Sequence, residues 1–297
     1  MSNTKITEMI DPRPQNLKIF YNGTGRDGLH LALADCQDNG FIAQYMPTII
    51  DLRTVADKDH PIWNLWYSAP SVKATGTTKN GKNVVVYAHK PNPFAIPKNI
   101  EKALSALRNG AGIGYDNEFR KLIKEQDNEN VFVIPHEDFK DWPNGVYGID
   151  EPTKEHMEAH NGKINGKDMI AINHPAFIPF IGGEKRAEPY LTQHKKVVGK
   201  VIGIYNSNDL AEKSVGWRLL FANSRGNLGD LGGYGYLYNF GRFVGVSLNG
   251  EAVPKKKSSR LEGIIGKATE VPGMKMLVID GSKITSSEYD LLKGTYQ

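Results

Sequence analysis

Residue types and spacing come closest to chemistry at Gly23-Thr24-Gly25-Arg26-Asp27-Gly28. A short apolar run from Leu17 precedes this stretch and a helix-like run to Gln37 follows it. Strand, glycine turn and helix, in that order, are what a dinucleotide-binding turn requires. In such a turn Gly23 permits the tight reversal and Gly25 lets the backbone approach a pyrophosphate. Gly28 brings the helix close to the strand, with free helix N–H groups aimed at the phosphate. Thr24 and Arg26 complete the candidate set; the cofactor itself stays open, NAD or NADP being what such a turn could hold. The acidic residue expected about 20 positions further on, to hold a ribose, is missing: Phe41 to Tyr45 carries none, and the next acid beyond that run is Asp51. Gln44 could donate to a ribose instead, and Arg53 could meet a 2′-phosphate. The competing reading is an ordinary Asx-type turn that caps the helix.

Over residues 17 to 37 the chain resembles the opening of Rossmann oxidoreductases. The resemblance implies that a nicotinamide cofactor carries the hydride while the protein orients it. Tyr289 and Lys293 have the spacing of a short-chain dehydrogenase pair, but they lie at the C-terminal end, where that family does not keep them.

A second constellation is Glu155-His156-Met157-Glu158-Ala159-His160. Asp150, Pro152 and Thr153 can start a helix here and Gly162 can end it. Histidines at i and i+4 share a helix face and could bind one zinc ion, with Glu158 nearby as a base. His136 or His174 could supply a third ligand. Methionine stands where the zincin pattern needs its glutamate, so the expectation is a solvated helix, with His156 and His160 as weak metal candidates. Lys255-Lys256-Lys257-Ser258-Ser259-Arg260 could neutralise phosphates on nucleic acid; an exposed basic loop without a partner is the plainer reading. Tyr234, Tyr236, Tyr238 and Phe240 alternate at period two and predict a strand with four rings on one face. That row suits core packing, or more rarely a stacking platform for a base or sugar. No paired-cysteine metal motif, GxxxxGK[ST] loop or G-x-S-x-G elbow occurs.

The elements that must position these residues follow from pattern and punctuation. Ser71–Thr75 and Asn83–Ala88 flank Asn80-Gly81, which predicts a hairpin. Phe41–Tyr45 and Thr48–Leu52 read as short strands, Asn130–Ile134 as a buried strand, and Val197–Tyr205 and Met276–Ile279 as further strands. Helices are predicted from Pro97 to Gly110 and from Asp116, with Gly110–Gly114 as a flexible connection, and Thr285 and Glu288 signal another helix. Cys36, the one cysteine, falls in the first helix among apolar residues and reads as a buried structural thiol.

The 297 residues, 39% hydrophobic and 24% charged, suffice for a sizeable core without staples. A net charge of +4 is too small to demand nucleic acid or an anionic membrane. No run approaches the length of a membrane span, and residues 1–15 lack a signal-peptide core, so a soluble cytoplasmic protein is expected. The fold expectation is mixed α/β or α+β, with a Rossmann-like first unit and a β-rich C-terminal part. Its parts are an extended lead-in over 1–16, an α/β domain over 17–135, a loop-rich connection or lid over 136–195, and a β-rich domain or continuation over 196–297. The leading expectation of function is a nucleotide- or dinucleotide-binding protein, an oxidoreductase in its sharpest form. Its partner would be a nucleotide or other anionic small molecule, with self-association open. A non-catalytic structural or assembly protein, of viral type, and a metal-dependent hydrolase are the alternatives.

Overall fold

The computed structural model describes residues 17–206, 214–247, 268–270 and 277–279. The chain divides into two compact units after Glu251. In the second, Ala268–Glu270 and Leu277–Ile279 pair antiparallel. The Lys255–Arg260 run, the Thr285 and Glu288 signal, and Tyr289 with Lys293 lie outside the described residues.

The first unit opens with β1 (Leu17–Asn22), a 3-10 turn at Gly25–Asp27, α1 (Gly28–Asp38) and β2 (Phe41–Ala43). Where a strand is predicted at Thr48–Leu52, the chain forms α2 (Met46–Val55). Pro47 in its first turn fits a helix start, and an apolar run this short does not distinguish helix from strand. A short α3 (Pro61–Asn64) leads to the long β3 (Tyr67–Thr77), which turns at Gly81, φ +77°, into β4 (Asn83–Ala88). This is the hairpin that Asn80-Gly81 predicts, with Thr77 opposite Asn83. The helix after Pro97 stops early, as α4 (Pro97–Ala103), because Asn109-Gly110 makes a second tight hairpin between β5 (Leu107–Arg108) and β6 (Ala111–Ile113). Both turn residues have positive φ, 48° and 80°, as such a turn demands; the flexible connection expected there is a structured corner.

Next come α5 (Asp116–Lys124), β7 (Val131–Pro135) and β8 (Gly145–Gly148). Residues 154–197 hold α6 (Lys154–His160), the small hairpin β9 (Lys163–Ile164) and β10 (Lys167–Asp168), α7 (Phe177–Ile181) and α8 (Ala187–Val197). The strands β11 (Val201–Tyr205), β12 (Gly216–Ala222), β13 (Leu231–Gly232) and β14 (Gly241–Ser247) close the unit.

The strands join in the order β7-β4-β3-β12-β13-β11-β8, with the β5–β6 corner attached to β12, and β1-β14-β2 forms a separate antiparallel sheet. The large sheet is buried on both faces, and its alternation shows which residues go where. Val84, Val86 and Ala88 of β4 face a core with α1, α4 and α5, whereas Val85 and Tyr87 face one with α2, α7 and α8. Residues on both faces of β4 are apolar, so it reads as a continuous apolar run from Val84 to Ala88, whereas β3 buries Ser68, Ser71, Lys73 and Thr75 among its apolar residues. The expectation of a mixed α/β fold holds, but the Rossmann-like first unit does not. β1 pairs antiparallel with β14, Leu17 opposite Val246 and Asn22 opposite Gly241, so the glycine turn does not sit at the carboxyl end of a parallel sheet.

Candidate aromatic binding cleft

The predicted cofactor turn is held together by its own polar groups. Asn22 Oδ1 accepts the Thr24 amide at 2.9 Å and also the Thr24 hydroxyl, and the Arg26 guanidinium donates to the Leu104 carbonyl. Gly25, at φ +48°, has open space around it. Gly28 is needed for packing: a Cβ there would lie 2.6 Å from the Asn22 carbonyl oxygen and 3.0 Å from the Phe240 Cα. Gly23 lies under the Tyr21 phenol. Arg53, considered for a 2′-phosphate, is wholly buried. Its Nε donates to the Ile62 carbonyl at 3.1 Å, and its guanidinium lies 4.9 Å from the Trp63 ring centre.

The two metal candidates do not converge either. His156 is buried against Tyr147, ring centres 4.6 Å apart, while His160 is exposed on the same helix. His174 meets the Tyr147 ring edge-on at 5.0 Å, its Nδ1 accepting from the Ala176 amide at 3.0 Å. Among the described residues no three His, Cys, Asp or Glu side chains form a group that could hold a metal ion. Cys36 is fully buried and its thiol is pushed up to about 12 by that burial, so it is structural as expected.

The aromatic row is where prediction and structure differ most. Residues 233–240 are not a strand; they cross the unit as a loop with a turn at Leu237–Tyr238. Leu237 points inward at 1% exposure, whereas Tyr236, Tyr238 and Phe240 are 43%, 42% and 44% exposed. Glycines at 232, 233 and 235 weaken strand pairing, and the segment is anchored through its leucine.

Beneath this loop lies a cleft of about 350 Å³, walled by Leu29 of α1, Trp66 just before β3, Ser68 within it, Leu219 to Phe221 of β12, and Asn223 just beyond that strand. Tyr234, Gly235, Tyr236, Asn239 and Phe240 form its outer wall. The β3–β12 pairing sets Ser68 opposite Phe221. Phe221 meets Tyr234 edge-on at 5.2 Å, and Tyr236 stacks on Tyr238 at 5.1 Å and 7°. At one end Arg242 lies 4.6 Å from the Tyr21 ring and 4.8 Å from that of Trp66. Apart from two tyrosines, no lining residue is ionisable, and Tyr234 is held up by burial and then by Asp230, so its phenol stays neutral. Such a cleft can stack flat apolar groups and hydrogen-bond them through Ser68, Asn223 and Asn239; none of its lining residues carries a charge, and the Arg242 guanidinium at its end lies against the Tyr21 and Trp66 rings. On the loop's other side a shallower hollow is lined by Gly25, Arg26, Leu107 and Tyr238 to Phe240. The predicted turn therefore borders the aromatic surface without forming it.

A solved structure, described as showing the accommodation of massive sequence variation in Nanoarchaeota by the C-type lectin fold, matches with a TM-score of 0.67 and 38% identity. The match covers 80% of this chain and 100% of that one. The chain belongs to the family of that C-type lectin-fold protein. No family model and no curated protein matches it. This lectin-fold membership overturns the nucleotide-binding and oxidoreductase expectation, in agreement with the antiparallel setting of β1. No described helix is long and apolar enough to cross a membrane.

Of the cleft residues, the sequence reading singled out Tyr234, Tyr236 and Phe240, and gave them to a strand. Trp66, Ser68, Phe221 and Asn223 were missed because they come together only through the β3–β12 pairing. The available signal was composition: tyrosine, glycine and asparagine crowded into residues 232–241, the mixture that binding loops favour.

Proposed function

We propose that this lectin-fold protein is a non-catalytic binding protein, and that its ligand is a protein surface which inserts an aromatic or branched side chain into the Trp66–Tyr234–Phe240 cleft. The observation that carries this reading is the pairing of an uncharged, ring-lined cleft with a rim of exposed aromatics. Rings with small polar neighbours give large contact area at little entropic cost, and an apolar pocket surrounded by such a rim is how binding hot spots are built. The matched Nanoarchaeota protein is described by the sequence variation its fold accommodates. The exposed rings here are side chains that could change without disturbing either core.

N-acetyl-phenylalaninamide, a neutral side-chain mimic, tests the reading by NMR titration. We expect saturable shifts at the Trp66 indole and the Asn223 and Asn239 amides, lost in Trp66→Ala, and none with ATP or NAD. Saturation by methyl glycosides instead would make the occupant a sugar. Saturation by neither would remove the cleft as a ligand site.

A further inference from the structure

We propose that Arg218 and Gly110, neither of which lines the cleft, are the positioning residues that fix the orientation of its exposed Tyr236 ring and of Tyr238 stacked on it. The inference rests on the reading of the Tyr236 face as a binding surface.

Arg218, on β12, is 5% exposed. One guanidinium nitrogen donates to the Tyr234 carbonyl at 3.0 Å and the other to the Asn109 carbonyl at 2.6 Å, with the group 5.7 Å from the Tyr236 ring centre. A single planar fork thus ties the aromatic loop to the β5–β6 corner and lies against the ring it positions. The Leu237 amide adds a third tie, donating to the Gly110 carbonyl at 3.0 Å.

Gly110 makes room for the arrangement. Its φ of +80° favours glycine, and a Cβ there would fall 1.7 Å from Tyr236 Cδ1. The ring therefore lies directly on the turn's backbone, and Tyr238 stacks on it from outside. Orientation is set from beneath, by two backbone carbonyls, a buried cation and an absent side chain, and the exposed residues need not hold one another. Lysine cannot replace Arg218, because an ammonium lacks the flat fork that reaches both carbonyls.

The test uses the full chain, with Arg218→Lys, Gly110→Ala, Tyr236→Ala and the Gly110→Ala/Tyr236→Ala double variant. The near-ultraviolet dichroism lost in Tyr236→Ala defines the signal of the stacked pair. We expect Arg218→Lys to lose more than half of that signal and to speed hydrogen exchange at the Leu237 amide by about tenfold, with the β1–β14 amides unchanged. Gly110→Ala should lower the unfolding temperature of the wild type more than that of Tyr236→Ala, where no ring meets the new methyl group. A folded Arg218→Lys protein with wild-type dichroism and Leu237 exchange overturns the proposal. So does a Gly110→Ala penalty equal in both backgrounds, and that cycle decides the matter if Arg218→Lys does not fold. Failure of N-acetyl-phenylalaninamide to bind the wild type would remove the binding reading instead, and leaves these ring-geometry outcomes as they are.

Discussion

Gly25 and Gly28 sit three residues apart in one turn and answer to different physics. Gly25 takes a left-handed φ with nothing within 4 Å of its missing Cβ, so a side chain there strains only the backbone. Gly28 has ordinary helical angles, but the β1 and Phe240–Gly241 backbones press against it. Backbone atoms cannot swing aside, so Gly28→Ala should cost about 1–3 kcal/mol, as overpacking does, and Gly25→Ala about 1 kcal/mol. Urea unfolding of the two variants checks the order, and a larger loss at Gly25 would contradict it. The glycine spacing was legible in the sequence. Its cause was not, because a glycine that admits a phosphate and one that admits a neighbouring strand leave the same letter. The polar residues between them were equally ambiguous until Asn22 and Leu104 were seen to accept from Thr24 and Arg26.

At the scale of elements, the 233–240 loop shows how an alternating pattern can point to the wrong architecture. Period two arises in a strand because successive side chains face opposite sides. Here Leu237 also faces opposite to Tyr236 and Tyr238, but the buried member is the leucine and the outward ones are the rings. Leu237→Ala should therefore destabilise by about 2–5 kcal/mol, whereas Tyr238→Ala, which gives up a partly exposed stacking contact, should cost about 1 kcal/mol or less. The reverse order, measured by thermal unfolding, would return the rings to the core. Local turns were readable wherever glycine chemistry was interpreted at face value. Asn80-Gly81 gave the β3–β4 hairpin, and Asn109-Gly110 carried the same signal for the β5–β6 corner, obscured by helical spacing just before it. Pairings such as Leu17 with Val246 were beyond reach, because alternation tells which face a residue takes and not which strand lies beside it.

For the whole first unit, the consequential feature is a set of buried histidines spread along the chain from His89 to His194. His89 is satisfied as a neutral ring: its Nε2 donates to the Pro179 carbonyl at 2.7 Å, and Nδ1 can accept from the Ser71 hydroxyl at 2.9 Å. Nδ1 of His174 likewise accepts, from the Ala176 amide. A proton on the His174 Nδ1 would set donor against donor, and on either ring a charge would stand in a dry interior. Burial accordingly lowers His89 and His194 from 6.5 to about 4 and His174 to about 3, and lowers His156 as well. A histidine whose pKa is lower folded than unfolded stabilises the fold fully above pH 6.5, and that contribution drains away as the pH falls toward the folded value, because the unfolded chain takes up the proton first. For His89, His174 and His194 this is on the order of 3 kcal/mol each, which together rivals the roughly 5–15 kcal/mol of an ordinary domain. Asp230 works the other way. Burial raises it to about 6, so its penalty at neutral pH is relieved on acidification, a single and partly solvated offset against four histidines. The fold should thus be most stable near pH 7 and above and should unfold cooperatively between about pH 6 and pH 4. Tryptophan fluorescence followed across that range checks it, since Trp63, Trp142 and Trp217 are buried, and a urea midpoint that stayed constant from pH 7 to pH 4 would show that these histidines are already charged in the folded chain.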